Sequence, residues 1–399
     1  MEFRRTPSEG ILVSEEPISY DAGRIQVLEG MEAVRKRPGM YIGSTGERGL
    51  HHLVFEVTYR AVNDVLAGRA GSVGVTLTPD GGVRVADDGP GVPTDEAGGD
   101  SGPGLEALLT RTEPAAGYAG RHDVTAGFGA LLFVANALSR RLTVEARREG
   151  VRRVQEYACG VAVTPLTDAG PADGSGTTLT FWPDAEIFGD AECSFEGLAD
   201  RFRELAFLNR GLDISLTDRR RSDEPRSVRL RFPGGAPDFV AHLDGQAGAD
   251  VQGEVIGFER EDPRMAGTLE VALRWRGSGE ERVRSFANSR PTPGGGSHET
   301  GFRDGLAAVV NAYARGQRLL TEADPDLDAE RIGEGLTAVV SVKLDEPRFE
   351  GSTRDRLGNS PVRACVGQAV QEHLGRWLAE HPERATAVVG RIVRGARRD

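Results

Sequence analysis

Apolar residues recur at helical spacing from Ile25 through Val27, Leu28, Met31 and Val34, and the pattern halts at RPGM, so a helix is predicted over Ile25–Arg37. The same period returns in a second amphipathic helix, His51–Ala67. Alternation then takes over. GVTLTPDGGVRVADDGPG reads as a β-hairpin turning at Pro79-Asp80-Gly81-Gly82, its second strand ending at Asp87-Asp88. Residues 94–126 keep neither period and are rich in Gly, Ala, Asp and Thr: a long loop with one short helix, Gly104–Thr112. A helix at 130–139, the strands RLTVEARR, VRRVQEYA and TTLTFWP, and a helix at Phe195–Leu208 follow. PGGAP at 233–237 marks the predicted domain boundary. Beyond it come the strands LEVALRW and ERVRSFAN, the glycine-rich SRPTPGGGSHETGF, a helix over Phe302–Ala314, the strand LTAVVSVKL and a last helix from Pro361 to Glu380. Helices and strands mix without a βαβ rhythm, which predicts two α+β domains after a polar N-terminal arm, 1–19.

Composition narrows the function classes. The chain has 399 residues, 38% hydrophobic and 28% charged, an ordinary soluble profile. Its net charge of −12 argues against a surface that coats nucleic acid, so DNA binding by this chain alone is not expected. Lys36 and Lys343 are its only lysines, so a mechanism that needs a lysine has two candidates. Cys159, Cys193 and Cys365 form no CxxC pair and read as reduced thiols, which predicts a cytoplasmic protein. No apolar run reaches the ~20 residues of a membrane helix, and no histidine spacing suggests a metal ligand set.

The stretch TAGFGALLFVANALS, residues 125–139, runs a glycine turn into an apolar helix, a form that suits an anion because backbone N–H groups and the helix dipole both favour negative charge.

Several segments together resemble the gyrase B family. They are YDAGRIQVLEGMEAVRKRPGMYIGST at 20–45, LHHLVFEV at 50–57, VADDGPGVP at 85–93, and then VANALS, SGTTLTFWPD, GGGSHETGF and LTAVVSVKLDEPRF in family order. The resemblance implies an α+β fold: a gyrase/Hsp90-type ATPase sandwich, a mixed sheet covered by helices, over 20–232, then a ribosomal-S5-like transducer domain over 233–399. No acidic cluster of the family's metal-binding cleavage domain is present, so DNA cleavage and rejoining are not expected of this chain alone.

The resemblance also implies a partly kept site. Glu56 matches the family's general base, with His52 one turn earlier to hold it. Asp87 and Thr177 match the pair at the adenine end, and Gly91 and Pro93 lie in the same turn, where Pro90 replaces a family arginine. Arg148 matches an arginine at the pocket mouth that aminocoumarins touch. Tyr20 matches an arm residue that reaches a partner's nucleotide, so a homodimer is expected. The phosphate end is rebuilt. Arg60 stands where the family has the asparagine that holds Mg²⁺, and a guanidinium accepts no bond and repels a cation. Gly127 and Gly129 survive from the lid, but Leu131 stands at its last glycine. Ser352-Thr353-Arg354 replaces QTK, so Arg354 stands where a lysine touches the γ-phosphate.

A metal site and Mg²⁺ are therefore not expected, while ATP or ADP stays open as a ligand. Three functions remain: an ATP-hydrolysing dimer clamp of a type II topoisomerase; a binding module, such as a sensor of gyrase-directed antibiotics or a regulatory partner of gyrase; and a small-molecule enzyme of specialised metabolism using Glu56 and His52. With His52, Glu56 and Arg60 at successive i, i+4 positions, the sequence predicts one stripe in which Arg60 pairs with Glu56 and lowers its pKa.

Overall fold

Ten consecutive residues of one helix, 56–65, are buried, five of them polar or charged: Glu56, Thr58, Arg60, Asn63 and Asp64. A helix covered on all sides must satisfy such groups internally, and the fold is arranged around this one. The computed structural model describes residues 30–94, 104–111, 123–124, 131–221, 223–246, 253–277, 279–351 and 355–396.

The first half opens with α1 (Gly30–Lys36), α2 (Gly39–Ile42) and α3 (Glu47–Leu66), then the hairpin β1 (Val73–Leu77) and β2 (Val83–Asp87). Next come α4 (Leu105–Thr110), α5 (Leu131–Ala137), β3 (Ser139–Arg148), β4 (Val151–Ala158), β5 (Val161–Ala162), β6 (Thr167–Pro171) and β7 (Gly176–Pro183). α6 (Ala185–Phe188), α7 (Phe195–Leu208), β8 (Ile214–Asp218) and β9 (Arg226–Leu230) complete it. The strands form one mixed sheet in the order β5-β4-β3-β7-β2-β1-β8-β9, with β6 also on β4. Alternate residues of β1 and β2 are buried, giving the sheet an apolar face that α3, α5 and α7 cover.

The second half holds α8 (Ala236–Gln246), β10 (Ile256–Asp262), β11 (Gly267–Trp275), β12 (Arg282–Ala287), β13 (Arg290–Pro291), α9 (Ser297–Gly316), α10 (Ala329–Gly333), β14 (Leu336–Leu344), β15 (Phe349–Glu350), β16 (Arg356–Leu357), α11 (Ser360–Glu380) and α12 (Pro382–Ala396). Its sheet runs β10-β11-β14-β12-β13, with α9 and α11 packed together beside it. A third apolar cluster joins the halves. In it Phe207 at the end of α7 stacks on Phe239 of α8 at 4.8 Å between ring centroids.

Three boundaries differ from the sequence reading. α3 starts at Glu47, four residues before the predicted His51. α8 begins at Ala236, inside the stretch 233–237 predicted as the domain boundary. α9 begins at Ser297, not Phe302: its early glycines mark a close helix crossing, not a loop, since a Cβ on Gly301 would lie 2.3 Å from the Arg363 carbonyl of α11. The helix α12, with Ala385, Val389, Ile392 and Val393 buried, is an addition to the predicted elements, although its spacing is helical.

Candidate functional site

α3 crosses the sheet beside β2 and brings two groups of polar side chains into the interior. In the first, Glu56 is 4% exposed, and its Oε1 lies 3.6 Å from His52 Nε2 and 3.4 Å from Arg290 Nη2. Burial pushes the Glu56 carboxyl up to about 7, against the pull of Arg290. Burial, with Arg290 and Arg48 nearby, brings His52 down to about 4. Near pH 7 the imidazole is therefore neutral, and Glu56 stands close to its own midpoint.

The second group centres on Asp87 at the end of β2. Its Oδ1 accepts backbone N–H bonds from Gly89 at 3.0 Å and Thr177 at 3.2 Å. Its Oδ2 is taken by Arg60 Nη2, and Arg60 Nη1 donates to Asp64 Oδ2 at 3.2 Å. All three are nearly inaccessible. Burial raises the Asp87 pKa, while Arg60 and the two N–H groups hold it down. Thr177 Oγ1 accepts from Val92 N at 3.0 Å, and Arg148 Nη1 donates to the Gly91 carbonyl at 3.4 Å. Pro93 accepts from Leu105 N at 2.8 Å, tying the turn to α4.

This arrangement corrects the predicted stripe. Arg60 does not serve Glu56: it turns to the sheet and pairs with Asp87 and Asp64. The Glu56 pKa is raised, not lowered, because burial outweighs the arginine that does reach it, Arg290. Five further residues of the site are not among those read from the sequence. Asp64 carries a signal, one helical turn beyond Arg60. Asn63, which donates to Asp123 Oδ1 at 2.8 Å and accepts from Val124 N at 3.0 Å, carries none, and neither does Asp123. Arg290 and Arg201 come from distant segments, which no local pattern connects to the pocket. Tyr20, Gly127, Gly129 and Arg354 lie outside the described residues, as does the side chain of Leu131.

Gly91 has φ 77°, and a Cβ there would lie 2.4 Å from the Arg147 carbonyl. Gly91→Ala should destabilise the protein by about 2–3 kcal/mol, read as a fall in the thermal unfolding midpoint. A cavity of about 1030 Å³ opens elsewhere, below the β1–β2 turn. Of the basic side chains that line it, Arg220 pairs with Asp218 and Arg226 with Glu196.

Arg60, which the resemblance puts at the metal-holding position, is a donor-only guanidinium already committed to two carboxylates. No group of three or more His, Cys, Asp or Glu among the described residues is arranged to hold a metal. No helix among the described residues is long and apolar enough to cross a membrane.

A family model described as DNA gyrase B matches residues 235–399. The crystal structure of the 43K ATPase domain of Thermus thermophilus gyrase B, in complex with an aminocoumarin, superimposes with a TM-score of 0.75 at 34% identity, covering 92% of this chain and 95% of that one. The chain belongs to the DNA gyrase B family. The gyrase B protein of Streptomyces coelicolor is 45% identical over 395 residues, 95% of this chain and 58% of the relative. The novobiocin-resistant gyrase B protein of Streptomyces niveus is 44% identical over 393 residues, with the same coverage. The chain thus spans 58% of the length of these gyrase B relatives.

Proposed function

We propose that this gyrase-B-family chain does not turn over Mg-ATP and uses the former nucleotide pocket for another small ligand. The observation that carries the reading is the Arg60 guanidinium on Asp87. An adenine amino group would have to displace a full positive charge from the carboxylate that should read it. A charge-assisted bond in a buried site is roughly twice as strong as a neutral one. The same arginine stands where the family keeps its metal ligand, so one side chain opposes both ends of Mg-ATP binding.

Glu56, near its midpoint at pH 7 beside a neutral His52, favours an enzyme over a passive binder, because acid–base catalysis works best when the group's pKa lies near the working pH. In the family, the Thermus relative is seen in complex with an aminocoumarin and Streptomyces niveus has a novobiocin-resistant form. A ring-bearing ligand with a polar edge is the class to test, with novobiocin as the first probe.

Purified protein should show no steady-state Mg-ATP hydrolysis above background and no calorimetric heat with ATP or ADP, with or without Mg²⁺. Turnover that disappears in Glu56→Ala would overturn the reading in favour of an ATP-driven clamp. Heat with novobiocin but not with nucleotide would support a pocket kept for other ligands.

A further inference from the structure

The turn between β12 and β13 contains two residues, with Ala287 opposite Arg290 and Phe286 opposite Pro291. Asn288 and Ser289 both take positive φ, 47° and 62°. That is the tight hairpin geometry whose twist matches its strands. The tip is pinned from two sides. Asn288 Nδ2 donates to the Leu344 carbonyl at 3.0 Å and its Oδ1 accepts from Leu344 N at 2.8 Å, so the side chain extends the pairing with β14. The Ser289 carbonyl accepts from Arg201 Nη2 at 2.8 Å, and its hydroxyl accepts from Asn209 Nδ2 at 3.0 Å. Arg201 also donates Nε and Nη2 to Tyr59 Oη at 3.1 and 3.0 Å, which joins α7, the hairpin and α3.

The next residue, Arg290, crosses from the second half to the Glu56 carboxyl of the first, 234 positions away in sequence. Its side chain is 21% exposed, while that of Glu56 is 2% exposed. A solvated rim arginine therefore meets a buried carboxyl, and its direction is set by the pinned tip and not by free rotation on a surface. Its guanidinium also lies 5.9 Å from the centre of the Tyr59 ring, at the outer limit of a cation–π contact.

We propose that Arg290 is a positioning residue for Glu56: through the pinned β12–β13 hairpin, the second half supplies the cation that orients the pocket carboxylate. This role is the same whichever ligand the pocket takes. Among the described residues, the charged and titratable groups facing Glu56 are His52 from its own helix, Asp123 from the segment before α5, Arg201 from α7 and Arg290 from the hairpin. Asp123 works against ionisation; Arg290 and, more weakly, Arg201 favour it. With Arg290 removed, burial acts with less opposition, and the carboxyl stays protonated to higher pH.

The test is a pH titration of the full chain labelled with carboxyl-¹³C glutamate, followed by NMR. The Glu56 resonance is assigned by its loss in Glu56→Gln. In the wild type the midpoint should fall near 7. In Arg290→Met it should rise by about one unit or more, a tenfold gain in proton affinity. Arg290→Lys, which keeps the charge at shorter reach, should fall between the two. Arg284→Gln removes another ion pair across the same interface, Arg284 with Glu204, without touching Glu56, and should leave the midpoint in place. An unchanged midpoint in Arg290→Met would overturn the proposal. So would an equal shift in Arg284→Gln, which would assign the effect to general loosening of the interface. If Arg290→Met fails to fold, Arg290→Lys decides alone: no rise in its midpoint overturns the proposal.

Discussion

Arg60→Met should destabilise the protein by about 3–5 kcal/mol at pH 8, the usual cost of removing one partner from a buried ion pair. The methionine nearly fills the volume of the arginine but leaves the Asp87 and Asp64 carboxylates without their shared guanidinium, at positions 5% and 4% exposed. The loss should shrink as the pH falls towards 4. Burial already raises the Asp87 pKa, and without Arg60 to hold it down the folded value rises further above the unfolded one. Protonation of the folded state then relieves the penalty, so the variant suffers most where carboxylates are charged. Urea titrations of both proteins at pH 8 and pH 4.5 measure this. A variant within about 1 kcal/mol of wild type at pH 8 would show that the pair is not the buried contact described, since only surface pairs contribute so little.

Glu56→Gln should act in the opposite direction and stabilise the protein by about 2–3 kcal/mol at pH 8. The folded-state pKa of Glu56 is raised to about 7 from an ordinary value of 4.5. The folded protein therefore binds the proton more tightly than the unfolded chain does. The stability this gives is fully present below the unfolded value and is lost as the pH rises through about 7. Glutamine is neutral at every pH, nearly the same shape, and still offers Arg290 an amide oxygen. It keeps at pH 8 what the wild type has only in acid, and the two proteins should converge near pH 4. Lower stability of Glu56→Gln at pH 8 would mean that the Arg290 pair outweighs the burial of the charge. A group that makes its protein less stable at neutral pH is the kind kept for a task at the site and not for the fold.

The family and most of the elements are legible in the sequence alone. Motif blocks such as LHHLVFEV and VADDGPGVP are contiguous and in order, and helical or alternating period is a local property that needs no knowledge of neighbours. At the start of α9 the local pattern misleads, because glycines that admit another helix look the same as glycines that bend a loop. That ambiguity is physical, since the same missing Cβ serves both purposes.

The partners of the charged side chains were decided only by the tertiary structure. Successive i, i+4 steps turn a helix by about 40° each, so Arg60 is rotated by roughly 80° from His52, enough to face the sheet instead of the carboxylate one turn back. What it meets there depends on where β2 lies, 27 residues further on. Arg290 reaches Glu56 from a hairpin in the second sheet that is pinned to α7 and β14. The residue types at the site, Arg60 among them, are the sequence's own contribution. Which acid each base holds, and therefore that Glu56 sits at its midpoint near pH 7 while Asp87 is covered, follows from burial and long-range packing, which no local pattern encodes.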